Sequence, residues 1–173
     1  GYCLCMPNEE VRHALNAMVL PALTLRKQGD TVSLQANLLY QLGTGRLDEA
    51  KKSMRALIAD VPYSNKKLAS MDMEERYRLI MSTVLQALGI RVEVERMLAT
   101  GRIDIVAWLS RYIYVIELKL SNNGGIAAAE RQIRECGYTE PFKADKRKVI
   151  GLAVELDSEG KGLIDWKVVD VER

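Results

Sequence analysis

The stretch from Gly101 to Leu120, GRIDIVAWLSRYIYVIELKL, constrains the fold more than any other part of this chain. It holds two apolar runs rich in β-branched and aromatic residues, which is the composition of buried strands. The short Ser110-Arg111 step between the runs is long enough for a two-residue hairpin turn. Three charged residues interrupt the runs, namely Asp104, Glu117 and Lys119. Buried charges need partners, so these three positions require a physical explanation.

A two-residue turn determines which residues of the hairpin face each other. If Leu109 faces Tyr112, counting outwards places Asp104 directly opposite Glu117. Side chains alternate along strands, so both acids and Lys119 are predicted to emerge on one face of the sheet. Opposed residues have Cβ atoms about 4.5–5.5 Å apart, and two carboxylates that close repel unless a cation lies between them. Ser-Arg lacks the Asn-Gly chemistry of tight hairpins, and a one-residue slip would undo this facing.

The helix that precedes these strands supplies a fourth charged group. The segment MDMEERYRLIMSTVLQALG repeats apolar residues at helical spacing from Met73 to Leu88, and Gly89 ends the helix. Glu74 falls at the edge of this apolar stripe, whereas Glu75 points to the opposite side. A glutamate on the buried side of a helix needs a partner, so Glu74 is predicted to complete a carboxylate cluster around a metal ion.

The counts of histidine and cysteine exclude several kinds of chemistry. The single histidine, His13, removes Ser-His-Asp, Cys-His and histidine-based zinc sites built from one chain. The three cysteines, Cys3, Cys5 and Cys136, are an odd number without a C-x-x-C pair. They argue against a disulfide framework and a structural zinc, so we expect a reducing cytoplasm. Carboxylates, lysine and a hard metal ion remain for catalysis.

The overall charge is that of an ordinary soluble protein. Charged residues make up 28% of the chain and the formal net charge is +2. This is not the large basic excess of a protein held to nucleic acid by charge alone. No apolar run reaches the roughly 18–20 residues of a membrane span, and we expect neither a membrane segment nor a secretory signal.

The element order predicts the fold class. Five segments are typical of strands: IRVEVERML, RIDIVAWL, YIYVIELKL, KVIGLAVEL and IDWKVVDVE. A helix, GGIAAAERQIRECG, separates the third strand from the fourth and ends at Gly137. Helix, three strands, helix and two strands predict an α/β or α+β fold, with a mixed central sheet flanked by helices.

Residues 1–69 are predicted to form an N-terminal helical subdomain, and residues 70–173 the domain that contains the sheet. PNEEVRHALNAMVLPAL predicts one helix, and LQANLLYQLGTGRLDEAKKSMRALIADVP predicts two more around GTGR. This pair is similar to one tetratricopeptide-type hairpin. Because one such unit cannot bury its own apolar face, we expect it to lean on another part of the protein rather than to belong to a repeat array.

These features together resemble a known family. An Asp on one strand, Glu-x-Lys on the next and the order α-β-β-β-α-β are the signature of the PD-(D/E)XK nuclease superfamily, with its restriction-endonuclease-like core. GRIDIV, YIYVIELKL, RQIRECGYTEPF and KVIGLAVEL are also similar to the C-terminal part of bacterial proteins that join an AAA-ATPase-like domain to such a nuclease-like domain. The resemblance covers nearly the whole chain. Ile103 stands where the motif has its Pro, which weakens the match there.

The resemblance implies Mg²⁺-dependent hydrolysis of nucleic acid, with DNA as the expected substrate and Mn²⁺ as an alternative ion. The implied ligands are Glu74, Asp104, Glu117 and the backbone carbonyl of Leu118. Lys119 would position or activate the attacking water, or stabilise charge on the phosphate. Gln132 would assist in placing substrate or water. Phosphodiester hydrolysis with magnesium needs no histidine, so the composition agrees with this chemistry.

Two other hypotheses stay open at this stage. A catalytically inactive nuclease scaffold could be kept for binding, with the N-terminal helical part as a partner-docking module and the activity residing in an attached AAA-ATPase-like domain. Alternatively, the domain is purely structural, and Glu74, Asp104 and Glu117 lie apart and face solvent. An isolated Glu-x-Lys is common on exposed sheet edges. Gln132 lies at the border of its helix's apolar stripe and is as compatible with a solvated position, while the basic segment 143–148 predicts either a phosphate contact or a solvated loop.

Overall fold

The computed structural model of the protein describes residues 28–59, 61 and 71–169. The helices are α1 (Gln28–Thr44), α2 (Leu47–Ala59), α3 (Met73–Ala87) and α4 (Gly125–Glu135). The strands are β1 (Arg91–Leu98), β2 (Gly101–Trp108), β3 (Tyr112–Leu120), β4 (Lys148–Leu156) and β5 (Leu163–Val169). Short 3₁₀ turns cover Ser121–Asn123 and Glu140–Phe142. The helix predicted in PNEEVRHALNAMVLPAL and the residue His13 lie outside the described residues.

The strands form one mixed sheet in the order β1-β2-β3-β4-β5. Neighbouring strands are antiparallel except β3 and β4, which are parallel and are connected through α4. The Leu109 N–H donates to the Tyr112 carbonyl at 2.9 Å, so Ser110 and Arg111 form the two-residue turn between β2 and β3. Trp108 then pairs with Ile113. The predicted hairpin register and the predicted α/β fold class with helices flanking the sheet are confirmed.

Strand β3 lies at the centre of the protein between two apolar layers. Its six residues Ile113–Leu118 are all buried. On one face, Tyr114, Ile116 and Leu118 pack in a cluster that includes residues of α1, α2 and α3. On the other face, β3 packs in a second cluster with Ala129 and Ile133 of α4. A strand covered on both faces has a nearly continuous apolar sequence, which explains why the charged positions of this hairpin stand out.

The pair α1 and α2 packs against the same apolar cluster as α3 and the sheet. Leu42, Met54 and Leu57 are buried in that cluster. The Arg55 Nε donates to the Leu163 carbonyl of β5 at 3.0 Å. The helical pair therefore covers its apolar side with the sheet domain, as one isolated hairpin must. The division of the chain at residues 69 and 70 stays a prediction.

The described helices and the described cysteine can be compared with the expectations about membrane segments and disulfides. None of the helices within residues 28–59 and 71–169 is long and apolar enough to cross a membrane. Cys136, at the end of α4, is a free, half-buried cysteine, whereas Cys3 and Cys5 lie outside the described residues.

The contact between α1 and β3 gives a stability prediction. Tyr114 is 1% exposed, and its hydroxyl donates to the Leu42 carbonyl in the last turns of α1 at 2.7 Å. Tyr114→Phe removes this donor from a buried carbonyl, so we expect the free energy of unfolding to fall by about 1 kcal/mol. Tyr112→Phe is the matched control, because its hydroxyl makes only an exposed 3.4 Å contact with the Thr44 carbonyl. Equal effects of the two substitutions in urea unfolding would contradict the prediction.

Candidate active site

Asp104 of β2 and Glu117 of β3 are buried carboxylates at the end of the paired hairpin. They are 3% and 1% exposed, respectively. The pairing of the two strands runs to Ile105 opposite Ile116, and the two acids are the next residues along. Here the Asp104 Oδ2 accepts a hydrogen bond from the backbone N–H of Leu118 at 2.9 Å. Where the backbone pairing of β2 and β3 ends, the Asp104 side chain thus accepts the Leu118 N–H in place of a backbone carbonyl.

Strand β2 is irregular at Asp104. Ile103 packs in the same apolar cluster as Val106, beneath α4, whereas Ile105 packs in the other cluster. Regular alternation would place Ile103 with Ile105. Asp104 and Glu95, which the register places opposite it on β1, take no part in the pairing of the two strands. Alternation alone therefore does not predict the direction of the Asp104 carboxylate.

Lys119 connects the end of β3 with the start of α3. Its Nζ donates to Glu117 Oε1 at 2.9 Å and lies 3.9 Å from Glu74 Oε1. Glu74 is in the first turn of α3, where its backbone N–H donates to the capping side chain of Asp72 at 3.1 Å. The side chains of Lys119 and Glu74 are 15% and 23% exposed, so this ion pair is partly shielded from water. The structure brings Glu74 to Lys119, as a carboxylate partner of the ammonium group.

Burial and the neighbouring charges shift both ionisable groups of β3. Burial raises the pKa of Glu117 to about 7; the charge of Asp104 also raises it, while Lys119 opposes the shift. Burial lowers the pKa of Lys119, but the hydrogen bond with Glu117 and the charges of Glu117, Glu74 and Asp104 outweigh it, so this pKa is raised overall. Lys119 is consequently a cation at neutral pH. Glu117 needs further positive charge nearby to be fully ionised.

The acid pair has free coordination capacity for a hard cation. Glu117 Oε2 is buried, and no described group forms a hydrogen bond of ordinary geometry with it, although an interaction of the Asp104 backbone N–H with this carboxylate lowers the Glu117 pKa slightly. The two oxygens of Asp104 accept hydrogen bonds from Arg78 and from the Leu118 N–H, which leaves further lone pairs. Mg²⁺ keeps several waters and usually takes only one or two carboxylates. Asp104 and Glu117 therefore fit such an ion.

The predicted ligand set is only partly gathered. Within residues 28–59, 61 and 71–169, no group of three or more His, Cys, Asp or Glu side chains is arranged to hold a metal ion. The structure thus pairs Asp104 with Glu117 and places Glu74 against Lys119. Leu118 enters the site through its N–H, and the predicted role of its carbonyl stays a prediction.

Gln132 of α4 has a hydrogen-bond partner within the protein. Its Nε2 donates to the hydroxyl of Tyr138 at 2.9 Å, and this hydroxyl also accepts the backbone N–H of Arg102 at 3.2 Å. Tyr138 is 1% exposed. Gln132 therefore helps to fix the start of β2 against α4. Its predicted role in placing substrate or water stays a prediction.

A cavity of about 530 Å³ opens beside Lys119 and Gln132. Asn122 and Asn123, from the 3₁₀ turn after β3, and Arg131 of α4 also line it. Amide and guanidinium groups are typical partners of phosphate oxygens. Sequence reasoning missed these three residues, although two lie within three residues of the end of the Glu-x-Lys strand and the third precedes Gln132.

The basic segment 143–148 lies at the other end of the sheet. Lys148 begins β4 and pairs with Tyr112, whereas Lys119 pairs with Glu155 near the far end of the same two strands. Arg147 forms a salt bridge with Asp145 at 2.6 Å. Any phosphate contact by this segment would therefore be remote from Asp104 and Glu117.

Comparison with known proteins identifies relatives of the chain. A family model described as the PD-(D/E)XK nuclease superfamily matches residues 72–166. A curated protein of Azotobacter chroococcum mcd 1, described as an uncharacterized protein in vnfD 5'region, is 26% identical over 171 residues. The match covers 96% of this chain and 32% of that protein, so the chain spans about a third of the relative's length. No solved structure matches the chain.

The raised pKa of Glu117 predicts a pH-dependent stability of the metal-free protein. Between the ordinary value of 4.5 and the folded value of about 7, the folded chain holds more protons than the unfolded chain. The stability that Glu117 contributes is thus complete below pH 4.5 and is lost as the pH rises through 7. Relative to Glu117→Gln, the wild type should lose about 3 kcal/mol over this range.

Urea unfolding in EDTA at several pH values would measure this difference. Glu49→Gln, at an exposed position of α2, controls for the loss of one negative charge. Parallel pH profiles of the wild type and Glu117→Gln would refute the prediction.

Proposed function

The chain belongs to the PD-(D/E)XK nuclease superfamily, and from this membership we propose that it hydrolyses phosphodiester bonds of nucleic acid, with DNA as the substrate. Nucleases of this superfamily generally use divalent metals. The observation that carries the proposal is the buried pair Asp104 and Glu117, with an unpartnered Glu117 oxygen, beside the ammonium group of Lys119.

In this proposal Asp104 and Glu117 would hold Mg²⁺, or Mn²⁺, together with the Leu118 carbonyl, and Glu74 would support the site from α3. The bound ion would neutralise charge that develops on the phosphate and lower the pKa of a water molecule. Glu117 Oε2 offers a buried acceptor that has no hydrogen-bond partner of ordinary geometry among the described residues. Burial of the Glu117 charge is only partly compensated by Lys119, so a bound cation would stabilise the ionised carboxylate.

Lys119 supplies the fixed positive charge of the reaction. Glu117 Oε1 holds its ammonium group at 2.9 Å, and Glu74 lies 3.9 Å from it. The remaining N–H bonds of the ammonium group can donate to the attacking water or to a phosphate oxygen. Gln132 and Arg131 line the adjoining cavity, where they would place the nucleic-acid backbone next to the acid pair.

The first prediction from this proposal concerns catalysis. Purified protein incubated with DNA and Mg²⁺ or Mn²⁺ should give cleavage products, and Lys119→Ala should lower the rate by about 100-fold or more because a positioned charge is lost. Lys52→Ala removes an exposed lysine of α2 and should cleave as the wild type does. Indistinguishable products from Lys119→Ala and the wild type would count against catalysis at this site.

The second prediction concerns metal binding. Calorimetric titration of the wild type with Mn²⁺ should show binding, and Asp104→Asn should abolish the heat because one of the two anionic ligands is lost. Glu93→Gln, a half-buried carboxylate of β1 paired with Arg96, serves as the control and should retain binding. Binding of Mn²⁺ and DNA without cleavage would instead indicate the alternative function, an inactive nuclease-fold binding module.

The proposal extends to the longer protein. The chain spans 32% of the length of the relative it matches, and its motifs resemble those found after an AAA-ATPase-like domain. We therefore propose that such a domain lies N-terminal to this one in the full-length, cytoplasmic protein, and that the two act on the same nucleic acid. Full-length protein that neither binds nor hydrolyses ATP would contradict this arrangement.

A further inference from the structure

Arg78 of α3 reaches into the buried site that contains Asp104. This arginine is 9% exposed. Its Nη1 donates to Asp104 Oδ1 at 3.0 Å, and its Nη2 lies 3.1 Å from Glu95 Oε1. The three residues Asp104, Arg78 and Glu95 form what we name the arginine bridge. Burying a guanidinium group is unfavourable unless its donors are paired, so both carboxylates contribute to holding it.

Glu95 adopts an unusual backbone conformation where it meets Arg78. Its φ is +54°, the only positive value of a non-glycine residue among the described ranges. This left-handed region is unfavourable for a side chain such as glutamate and persists only where the surroundings stabilise it. The side chain of Glu95 also lies 2.8 Å from Arg102 Nη1. Charges of alternating sign therefore run from the buried Asp104 to the surface.

The two oxygens of Asp104 are held by different groups, one by Arg78 and the other by the backbone of β3. Arg78 donates to Oδ1, and the Leu118 N–H donates to Oδ2 at 2.9 Å. Rotation of the carboxylate about its axis would break one of these bonds. Glu117, beside it, has its own cation in Lys119. Each acid of the pair thus has one protein cation, but only Asp104 is held on both oxygens.

We propose that Arg78, held by Glu95, is a positioning residue that orients Asp104 for metal binding. The inference rests on the proposed function, because it takes Asp104 as a metal ligand. Groups that hydrogen-bond to metal ligands orient them, and their removal typically weakens metal binding by about 10–100-fold. A positive charge that merely competed with the metal would act in the opposite direction, so the sign of the effect separates the two roles.

Calorimetric titration of the metal-free protein with Mn²⁺ tests the proposal. Arg78→Gln should weaken binding by about 10-fold or more. Arg78→Lys should weaken it as well, because a single ammonium group lacks the fork geometry that joins Asp104 to Glu95. Glu95→Gln should weaken it by a smaller factor, since Arg78 remains but loses its anionic partner. Arg91→Gln controls for the loss of one positive charge. Arg91 begins β1 and its side chain is 71% exposed, so this variant should bind Mn²⁺ as the wild type does.

The affinity for Mn²⁺ and the melting temperature of the variants together test the role of Arg78. Unchanged or tighter Mn²⁺ binding by Arg78→Gln would overturn the proposal. A lower melting temperature with unchanged affinity, measured where every variant is folded, would assign Arg78 a role in stability alone and would also overturn it. If Arg78→Gln does not fold, Glu95→Gln carries the test, because that side chain is 43% exposed. A wild type that binds no Mn²⁺ refutes the proposed function itself, whereas wild-type binding with unaffected variants removes only the role of Arg78.

Discussion

The site depends on the burial of two carboxylates side by side. Asp104 and Glu117 are both buried within the sheet, and each loses the stabilisation that water gives a charge. Their mutual repulsion adds to this cost, and it contributes to the raised pKa of Glu117. Lys119 and Arg78 offset much of the cost by pairing with one acid each. The unpartnered Glu117 oxygen marks where this compensation by the protein is incomplete.

Helix α3 organises the charges around this pair. Glu74 and Arg78 are four residues apart, so they lie on the same face of the helix. One contacts Lys119 and the other contacts Asp104. The apolar residues between the helix and the sheet keep this face against the end of the hairpin. The packing of α3 on the sheet thereby places Glu74 next to the Lys119 cation and Arg78 next to the Asp104 anion.

The chain belongs to the PD-(D/E)XK nuclease superfamily, and this membership relates the charged residues of the hairpin to nuclease chemistry. Two buried carboxylates and a lysine at the end of a hairpin are the residue types that suit phosphodiester hydrolysis assisted by a hard cation. The polar cavity beside Lys119 continues the site towards α4, where Arg131 and the two asparagines that follow β3 offer donors to phosphate oxygens. A modest net charge is compatible with this, because the relevant donors are concentrated at one place rather than spread over the surface.

Strand periodicity and turn length are local properties, so the sequence was enough to predict the order of helices and strands within residues 71–169, the two-residue turn and the register that brings Asp104 next to Glu117. It did not reveal the role of Arg78, the left-handed backbone conformation of Glu95 or the hydrogen bond between Gln132 and Tyr138. Arg78 and Asp104 are 26 residues apart and meet only through the packing of α3 on the sheet. Which acid pairs with which cation, and which oxygen lacks a partner, depends on packing, since burial and Coulomb interactions are set by distances in space.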